Sequence, residues 1–372
     1  MSKKYFIIAG ESSGDLHGSN LMHAMCQIDS KITFEGIGGN LMISQGLSSM
    51  YDLNKMAVMG FVEVLKNYRF FKSVQKNVLN NIVEGNYSGV ILIDYPGFNL
   101  RIAKQLKSVL PNIPIYYYIS PQIWAWKENR IQYIKKYIDK MIVIFEFEKD
   151  WYTERGIDAL FVGHPFLDIY KDINRKSCRE KLNLKGDDKC LTLFPGSREQ
   201  EINNHLPAML SALENDFFSD FKVFIGLAPD VDKAILSNYN LNNVVIVNEK
   251  SENALMAADC AWIGSGTNTL QAALFDIPFI LVYKTSSISW FVMKNFVKVE
   301  YAGMPNIIYG DKLIPELLQN NLTDTNLINE TNRFFNDLEY KQSILKGYKV
   351  IRKKLGTEGA SSRTANIILE EK

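Results

Sequence analysis

The stretch Val90-Ile91-Leu92-Ile93-Asp94-Tyr95-Pro96-Gly97-Phe98-Asn99 decides the fold class. Four consecutive branched aliphatic residues without polar alternation describe a strand covered on both faces, as in a parallel sheet. A carboxylate follows at once, at the strand end where open α/β sheets bind their ligands. Asp94 therefore has two readings: a cap for the turn before Pro96, or a general base that accepts a hydroxyl proton.

Outward from that run the same pattern repeats. Towards the N-terminus lie Tyr5 to Ala9 and Thr33 to Ile37, and beyond it Ile115 to Ile119, Met141 to Phe145 and Leu160 to Val162. Helical patterns separate these runs, which is the mark of βαβ units. A polar segment, Tyr170 to Asp188, interrupts the series after Gly163-His164-Pro165, with a linker expected near residues 166 to 180. The pattern then restarts with Leu191 to Phe194, Val223 to Ile225, Val244 to Val247, Ala261 to Ile263 and Phe279 to Val282. The expected fold class is α/β, with two Rossmann-like, doubly wound parallel sheets facing across a cleft. The domains are expected at 1–168 and 169–340, with helices over 341–372, broken by Gly356-Thr357-Glu358-Gly359, returning to the first domain.

Composition narrows the function. A formal charge of +1 on 372 residues gives no general excess of cations for a phosphate backbone, so nucleic acid is not an expected partner. Cys26, Cys178, Cys190 and Cys260 are scattered without metal-ligand spacing and read as buried thiols in a reducing compartment. The apolar run at the N-terminus is five residues long, too short for a signal peptide, and no stretch approaches a bilayer span. A cytoplasmic protein is expected.

Three further turns carry candidate chemistry. Gly10-Glu11-Ser12-Ser13-Gly14-Asp15-Leu16-His17-Gly18 opens a helix, but its glycines recur every four residues and do not form the dinucleotide fingerprint. Either Ser13 or Asp15 caps that helix, or Glu11 and the helix N-terminus face the cleft. Pro195-Gly196-Ser197-Arg198-Glu199 joins a strand to a helix, and Arg198 there can grip phosphate oxygens or pair with Glu199 or Glu201. Gly264-Ser265-Gly266-Thr267-Asn268-Thr269 repeats the arrangement, and two such turns in one sheet favour a diphosphate.

No metal is expected. Asp230-Val231-Asp232 matches an Asp-x-Asp pattern, yet it follows Pro229 at a helix start and reads better as capping; none of His17, His23, His164 and His205 has a partner at metal spacing. His164 reads as structural. From Phe61 the chain is amphipathic: Leu65, Tyr68, Phe71, Val74 and Val78 form a stripe flanked by Lys66, Arg69, Lys72 and Lys76, with Phe70 off the stripe among the cations. Trp290 to Lys298 has a similar character. Each is either a core-facing helix or a membrane-surface element.

Across nearly its whole length the chain resembles the lipid-A-disaccharide synthase family. The resemblance is carried by Ala9-Gly10-Glu11-Ser12-Ser13-Gly14-Asp15, Ala57-Val58-Met59-Gly60-Phe61-Val62-Glu63-Val64-Leu65, Ser120-Pro121-Gln122-Ile123-Trp124-Ala125-Trp126, Pro195-Gly196-Ser197-Arg198, Ser265-Gly266-Thr267 and Met304-Pro305-Asn306. It implies the GT-B fold and an inverting, cofactor-free transfer from UDP-2,3-diacylglucosamine to 2,3-diacylglucosamine 1-phosphate (lipid X), giving a β-1,6 disaccharide and UDP. On the resemblance Asp94 matches the essential aspartate and Arg198 the arginine that stabilises departing UDP, with Glu11 a further catalytic candidate. Gly196, Ser197, Gly264, Ser265, Gly266, Thr267 and Gln271 would complete the UDP site, and Ser13, Asp15 and Asn306 the acceptor side. Phe61, Val64, Leu65, Tyr68, Arg69, Phe70, Phe71 and Lys72 would touch acyl chains or membrane, the stripe partly buried and an aromatic and cationic rim outward. Peripheral attachment to the inner membrane of a Gram-negative bacterium is implied, and a homodimer is compatible with it. Two departures stand out: Gly97 replaces a second acid found in many members, and Gln271 replaces a glutamate that holds the ribose. Competing readings are a UDP-sugar 2-epimerase or peptidoglycan glycosyltransferase, and a non-catalytic nucleotide-sugar or lipid-binding protein.

Overall fold

The computed structural model describes residues 3–56, 68–228, 231–287, 289–291 and 298–370. Two compact units divide the chain: Met1–Asp168 with Leu355–Lys372, and Ile169–Lys354.

The first unit is built on β1 (Lys4–Ala9), β2 (Thr33–Ile37), β3 (Leu47–Ser49), β4 (Gly89–Ile93), β5 (Ile115–Tyr118), β6 (Lys140–Val143) and β7 (Ala159–Phe161). They form one sheet in the order β3-β2-β1-β4-β5-β6-β7, with every neighbouring pair parallel. Side chains from Tyr5 to Ala9 and from Val90 to Ile93 are buried on both faces, which explains their unbroken apolar runs. Each fully buried Phe or Ile there stabilises the fold by roughly 1.5–3 kcal/mol.

The second unit repeats the plan with β8 (Lys189–Phe194), β9 (Phe221–Gly226), β10 (Val244–Val247), β11 (Cys260–Gly264), β12 (Phe279–Tyr283) and β13 (Glu316–Leu318). Their order is β10-β9-β8-β11-β12-β13, again all parallel. In each sheet the winding reverses once, between β1 and β4 and between β8 and β11. Ligands of doubly wound sheets bind at that switch point, outside the strand C-termini. Four of the turns singled out from sequence follow those four strands.

One expectation about boundaries needs correction. The segment 341–354 does not return to the first unit. Within the helix Leu338–Lys354, Tyr348 donates to Ile277 O (3.2 Å), Arg352 to Leu274 O (2.6 Å) and Lys354 to Ile308 O (2.8 Å), so it is packed into the second unit. Only the chain from Leu355 returns: His164 N donates to Leu355 O (2.9 Å), Arg363 Nε to Val162 O (2.8 Å), and the helix Ala360–Glu370 packs on the helix Ser12–Ile28. The chain passes from the first unit to the second at Asp168–Ile169, within the segment 166–180 expected to link them, and the later part of that segment is held to the second unit. Arg175, at the start of the helix Arg175–Lys181, pairs with Asp259 at 2.7 Å, and Asp259 also accepts from Cys190 N (2.8 Å) at the start of β8.

Candidate functional site

In the first unit, β4 delivers Asp94 to the switch point in an unusual backbone state. Asp94 and Tyr95 both have left-handed φ, 43° and 49°, which non-glycine residues adopt only when their surroundings hold them there. The holding groups are visible. Asp94 N continues the ladder to Tyr118 O (3.2 Å), while the Asp94 carbonyl accepts from the Tyr117 hydroxyl (2.5 Å) and from Asn99 Nδ2 (2.8 Å). The helix Pro96–Val109 has Tyr95 at its N-cap, with no cap bond from that side chain, and the Asp94 carboxyl meets the Tyr95 N–H.

Asp94 is half-buried, and burial and then the nearby negative charge of Glu11 push its carboxyl up to about 7, with the Tyr95 N–H partly offsetting them. Glu11 stands at the N-cap of the helix Ser12–Ile28, and Ser13 in its first turn is half-buried. Gly10 is required for this closeness: a Cβ on it would meet the Tyr95 ring at 2.4 Å. Gly97 faces open space, so the missing second acid leaves a vacant position and no packing defect.

Asp15 does something else. Its carboxylate is buried and accepts from Gly39 N (2.8 Å), Leu41 N (3.0 Å) and Met42 N (3.0 Å). It caps the short helix after β2, neither capping its own helix nor offering a free group to an acceptor, which corrects that expectation. His17 and His164 are buried neighbours with ring centroids 6.5 Å apart; burial lowers His17 to about 4 and pushes His164 well below the usual range. His164 Nδ1 accepts from Phe166 N (3.1 Å), a structural bond.

In the second unit β8 and β11 lie side by side, with Phe194 opposite Ile263, and their following turns touch. A Cβ on Gly264 would sit 3.3 Å from the Pro195 carbonyl. The helices Glu199–Leu213 and Thr267–Leu274 both start here, and neither has a side-chain N-cap. Their first N–H groups are therefore available to an anion, and the helix dipoles favour one. Gly266 makes the second turn with φ 146°, a conformation that excludes a side chain, and Thr269 Oγ1 closes it by donating to Gly266 O (2.7 Å). Ser265 Oγ donates to Ala302 O at 3.4 Å.

Arg198 is the N-cap residue of the first of these helices. Its guanidinium is half-exposed and lies 3.4 Å from Glu201 Oε1, while Glu201 Oε2 accepts from Ser197 N (2.9 Å). A carboxylate thus rests on the donors that a phosphate would use. An exposed pair of this kind is worth only about 0–1 kcal/mol, so it holds Arg198 weakly.

His205 fixes the turn, which the sequence alone did not reveal. Nearly fully buried, it meets Pro195 O through Nδ1 (2.5 Å) and Lys284 N through Nε2 (2.9 Å). A carbonyl only accepts and an N–H only donates, so these partners require the neutral tautomer with hydrogen on Nδ1. Burial lowers its pKa in agreement. His205→Leu strands both partners and is expected to destabilise the protein by about 2–4 kcal/mol, read from urea denaturation midpoints.

Asn306 is not a ligand group, contrary to expectation. It is fully buried; Nδ2 donates to Ile314 O (3.1 Å) and Glu316 Oε1 (2.9 Å), and Oδ1 accepts from Leu313 N (2.8 Å) and Ile314 N (2.9 Å). All its polar valences are used in anchoring the loop before β13. Gln271 is buried too, with its amide donating to the Tyr170 hydroxyl. Asp232 caps a turn by accepting from Ala234 N (2.8 Å), and Asp230 lies outside the described residues.

Of the amphipathic region, Phe61, Val64 and Leu65 lie outside the described residues, as does the Tyr68 side chain. Arg69 and Lys72 are exposed. Phe70 does not form an outward rim: it packs edge-on to Tyr51, 6.4 Å between centroids, and against the core together with Phe71. Residues 292–297 of the second stretch are outside the described residues, and Phe291 is 71% exposed. No helix among the described residues is long and apolar enough to cross a membrane.

A family model described as lipid-A-disaccharide synthetase matches residues 5–369. Lipid-A-disaccharide synthases of Geobacter metallireducens and Myxococcus xanthus are each 34% identical to the chain, over 99% of it and 97% of their own length, and that of Coxiella burnetii is 32% identical. Among solved structures, UDP-GlcNAc 2-epimerase from Neisseria meningitidis bound to UDP-GlcNAc aligns with TM-score 0.65 at 12% identity over all of both chains. The calicheamicin glycosyltransferase CalG4 aligns with TM-score 0.62 at 13% identity over 100% of this chain and 99% of its own. At such identities the likeness is one of fold.

Proposed function

Because the chain belongs to the lipid-A-disaccharide synthase family, we propose that Asp94 is the base and Arg198 the diphosphate ligand of its glycosyl transfer. It is a glycosyltransferase, and its substrates are UDP-2,3-diacylglucosamine and 2,3-diacylglucosamine 1-phosphate. In the reaction the acceptor 6-hydroxyl oxygen bonds to C1 of the donor sugar, its proton passes to an Asp94 carboxylate oxygen, and the C1–O bond to UDP breaks with inversion. The electron pair leaves on the β-phosphate, where Arg198 and the N–H groups of the Gly196–Arg198 and Gly264–Thr267 turns take up the charge.

The observation that carries this reading is Asp94 at the switch point: half-buried, its carboxyl desolvated, near the charge of Glu11 and raised to about 7, which is where a general base works best near neutral pH. Ser197, Ser265 and Gly266 support the diphosphate assignment through the open helix starts beside them. Attachment to the inner-membrane surface belongs to the same proposal, supported by acylated substrates and by the exposed Arg69 and Lys72.

Purified protein in detergent micelles, with both substrates and EDTA, is expected to release UDP and form disaccharide only when acceptor is present. UDP release without acceptor, or none at all, would overturn the transfer reading. A second expectation concerns Glu11. Its charge helps to hold Asp94 up, so Glu11→Gln lowers that pKa, and the acid limb of kcat/KM moves from about 7 to lower pH. The weaker base slows the plateau by less than about tenfold. An unmoved limb would separate Glu11 from the base.

A further inference from the structure

Three neighbouring strands, β4, β5 and β6, end side by side, and each end carries a polar group. Asp94 follows β4. The loop Ser120–Trp126 follows β5, after Ile119, a β-branched residue held at φ 64°. The helix Glu146–Thr153 follows β6 and turns one acid inwards: Glu148 is 1% exposed, whereas Glu146 and Asp150 are exposed. Glu148 Oε1 accepts from Trp124 Nε1 (3.0 Å), and its Oε2 has no hydrogen-bond partner among the described residues. No cation among those residues pairs with it. Trp124, the Phe145 N–H and the Ser120 hydroxyl favour an ionised carboxylate, but burial of a side chain whose Oε2 bonds nothing among the described residues outweighs them.

Resting on the reading of Asp94 as the base, we infer that Glu148 is a positioning residue for the transfer: a protonated carboxyl that holds Trp124 and its loop without placing a second negative charge beside Asp94. The groups around it fit. From β4 it faces Asp94, the charged neighbour. From the loop come Ser120 and Trp124, and from its own helix Tyr152, whose hydroxyl bonds Ser120 Oγ at 2.9 Å. On β5, Tyr117 bonds the Asp94 carbonyl and interacts with Arg130. Burial, with Asp94 adding to it, raises Glu148 to about 8, whereas Asp94 stands at about 7. The pair titrates in two steps that belong to both carboxyls, and the deeper burial of Glu148, 1% exposed against half-buried Asp94, favours the single charge on Asp94.

The test is the pH dependence of kcat/KM for wild type, Glu148→Gln and Glu148→Leu, with Asp94→Asn alongside. Glutamine is neutral and still accepts from Trp124, so Glu148→Gln is expected to keep activity within about threefold at pH 7 and to lose the fall in rate that wild type shows above about pH 8. Glu148→Leu, which removes the acceptor, is expected to lose tenfold or more, roughly what a displaced support costs. A Glu148→Gln enzyme as slow as Glu148→Leu, or one with the wild-type alkaline limb, overturns the inference. If Glu148→Leu does not fold, the Gln profile still decides. The infrared carbonyl band of protonated carboxyls should be stronger in wild type at pH 7 than in Glu148→Gln, where only half-protonated Asp94 contributes. Equal bands in the two proteins overturn the inference whatever the turnover, whereas failure of the base reading appears separately, as turnover retained by Asp94→Asn.

Discussion

Asp94→Asn is expected to lower kcat by about 10² to 10⁴, the range attributed to a positioned general base, while UDP binding stays intact. Asparagine keeps the shape of the side chain, and the backbone bonds from Tyr117, Asn99 and Tyr118 use the main chain only, so the left-handed turn survives. Wild-type kcat/KM should fall tenfold per pH unit below about 7, because the base must be ionised. The stability effect runs the other way. Asp94 is raised in the folded protein above the ordinary value of about 3.9, so between those two values the unfolded chain has lost a proton that the native state keeps. Stability from this group therefore falls as pH rises from about 4 to about 7 and is constant above. Asp94→Asn should thus be more stable than wild type at pH 8 and no more stable at pH 3. Urea titrations at the two pH values measure this, and an active variant, or a variant destabilised at pH 8, would refute the assignment.

The same physics sets what could be read from sequence. Strands buried on both faces announce themselves through continuous apolar runs, so β1, β4, β8 and β11 were legible, and with them the four switch-point turns. The edge strands β3 and β13 were not, because three residues such as Leu47-Ser48-Ser49 carry no period and only Leu47 is fully buried. Asp15 and Asn306 lie in motifs that carry the family resemblance, but no pattern says that their polar atoms point inwards to backbone groups. Glu148 was hidden in Glu146-Phe147-Glu148-Lys149-Asp150, where five residues look like one solvated face and a single acid is turned to the interior. His205 lay within a helix whose spacing from Pro195 and Lys284 has no sequence signature. Side-chain partners at large separation are a property of the fold, and the local pattern does not encode them.

Arg198→Ala is expected to lower kcat by about 10² to 10³, the loss seen when a group aimed at developing charge is removed. The charge to be stabilised appears as the glycosyl–oxygen bond breaks, so the effect should fall mainly on kcat, with a smaller rise in the KM for the UDP-sugar. Arg198 is suited to this because it begins a fifteen-residue helix without a side-chain cap, so its guanidinium and the first N–H groups present donors together. Arg198→Lys keeps the charge but not the planar fork, and recovery should be partial. Glu201 supplies the control. Its carboxylate competes for Arg198 and Ser197 N in the free protein. Glu201→Gln, which weakens that competition, should raise UDP affinity more in wild type than in Arg198→Ala, where only Ser197 N remains to be freed. Calorimetric titration with UDP across the four proteins measures the coupling. Additive effects would mean that Arg198 and Glu201 act on the nucleotide independently, and full turnover in Arg198→Ala would remove the arginine from the leaving-group site.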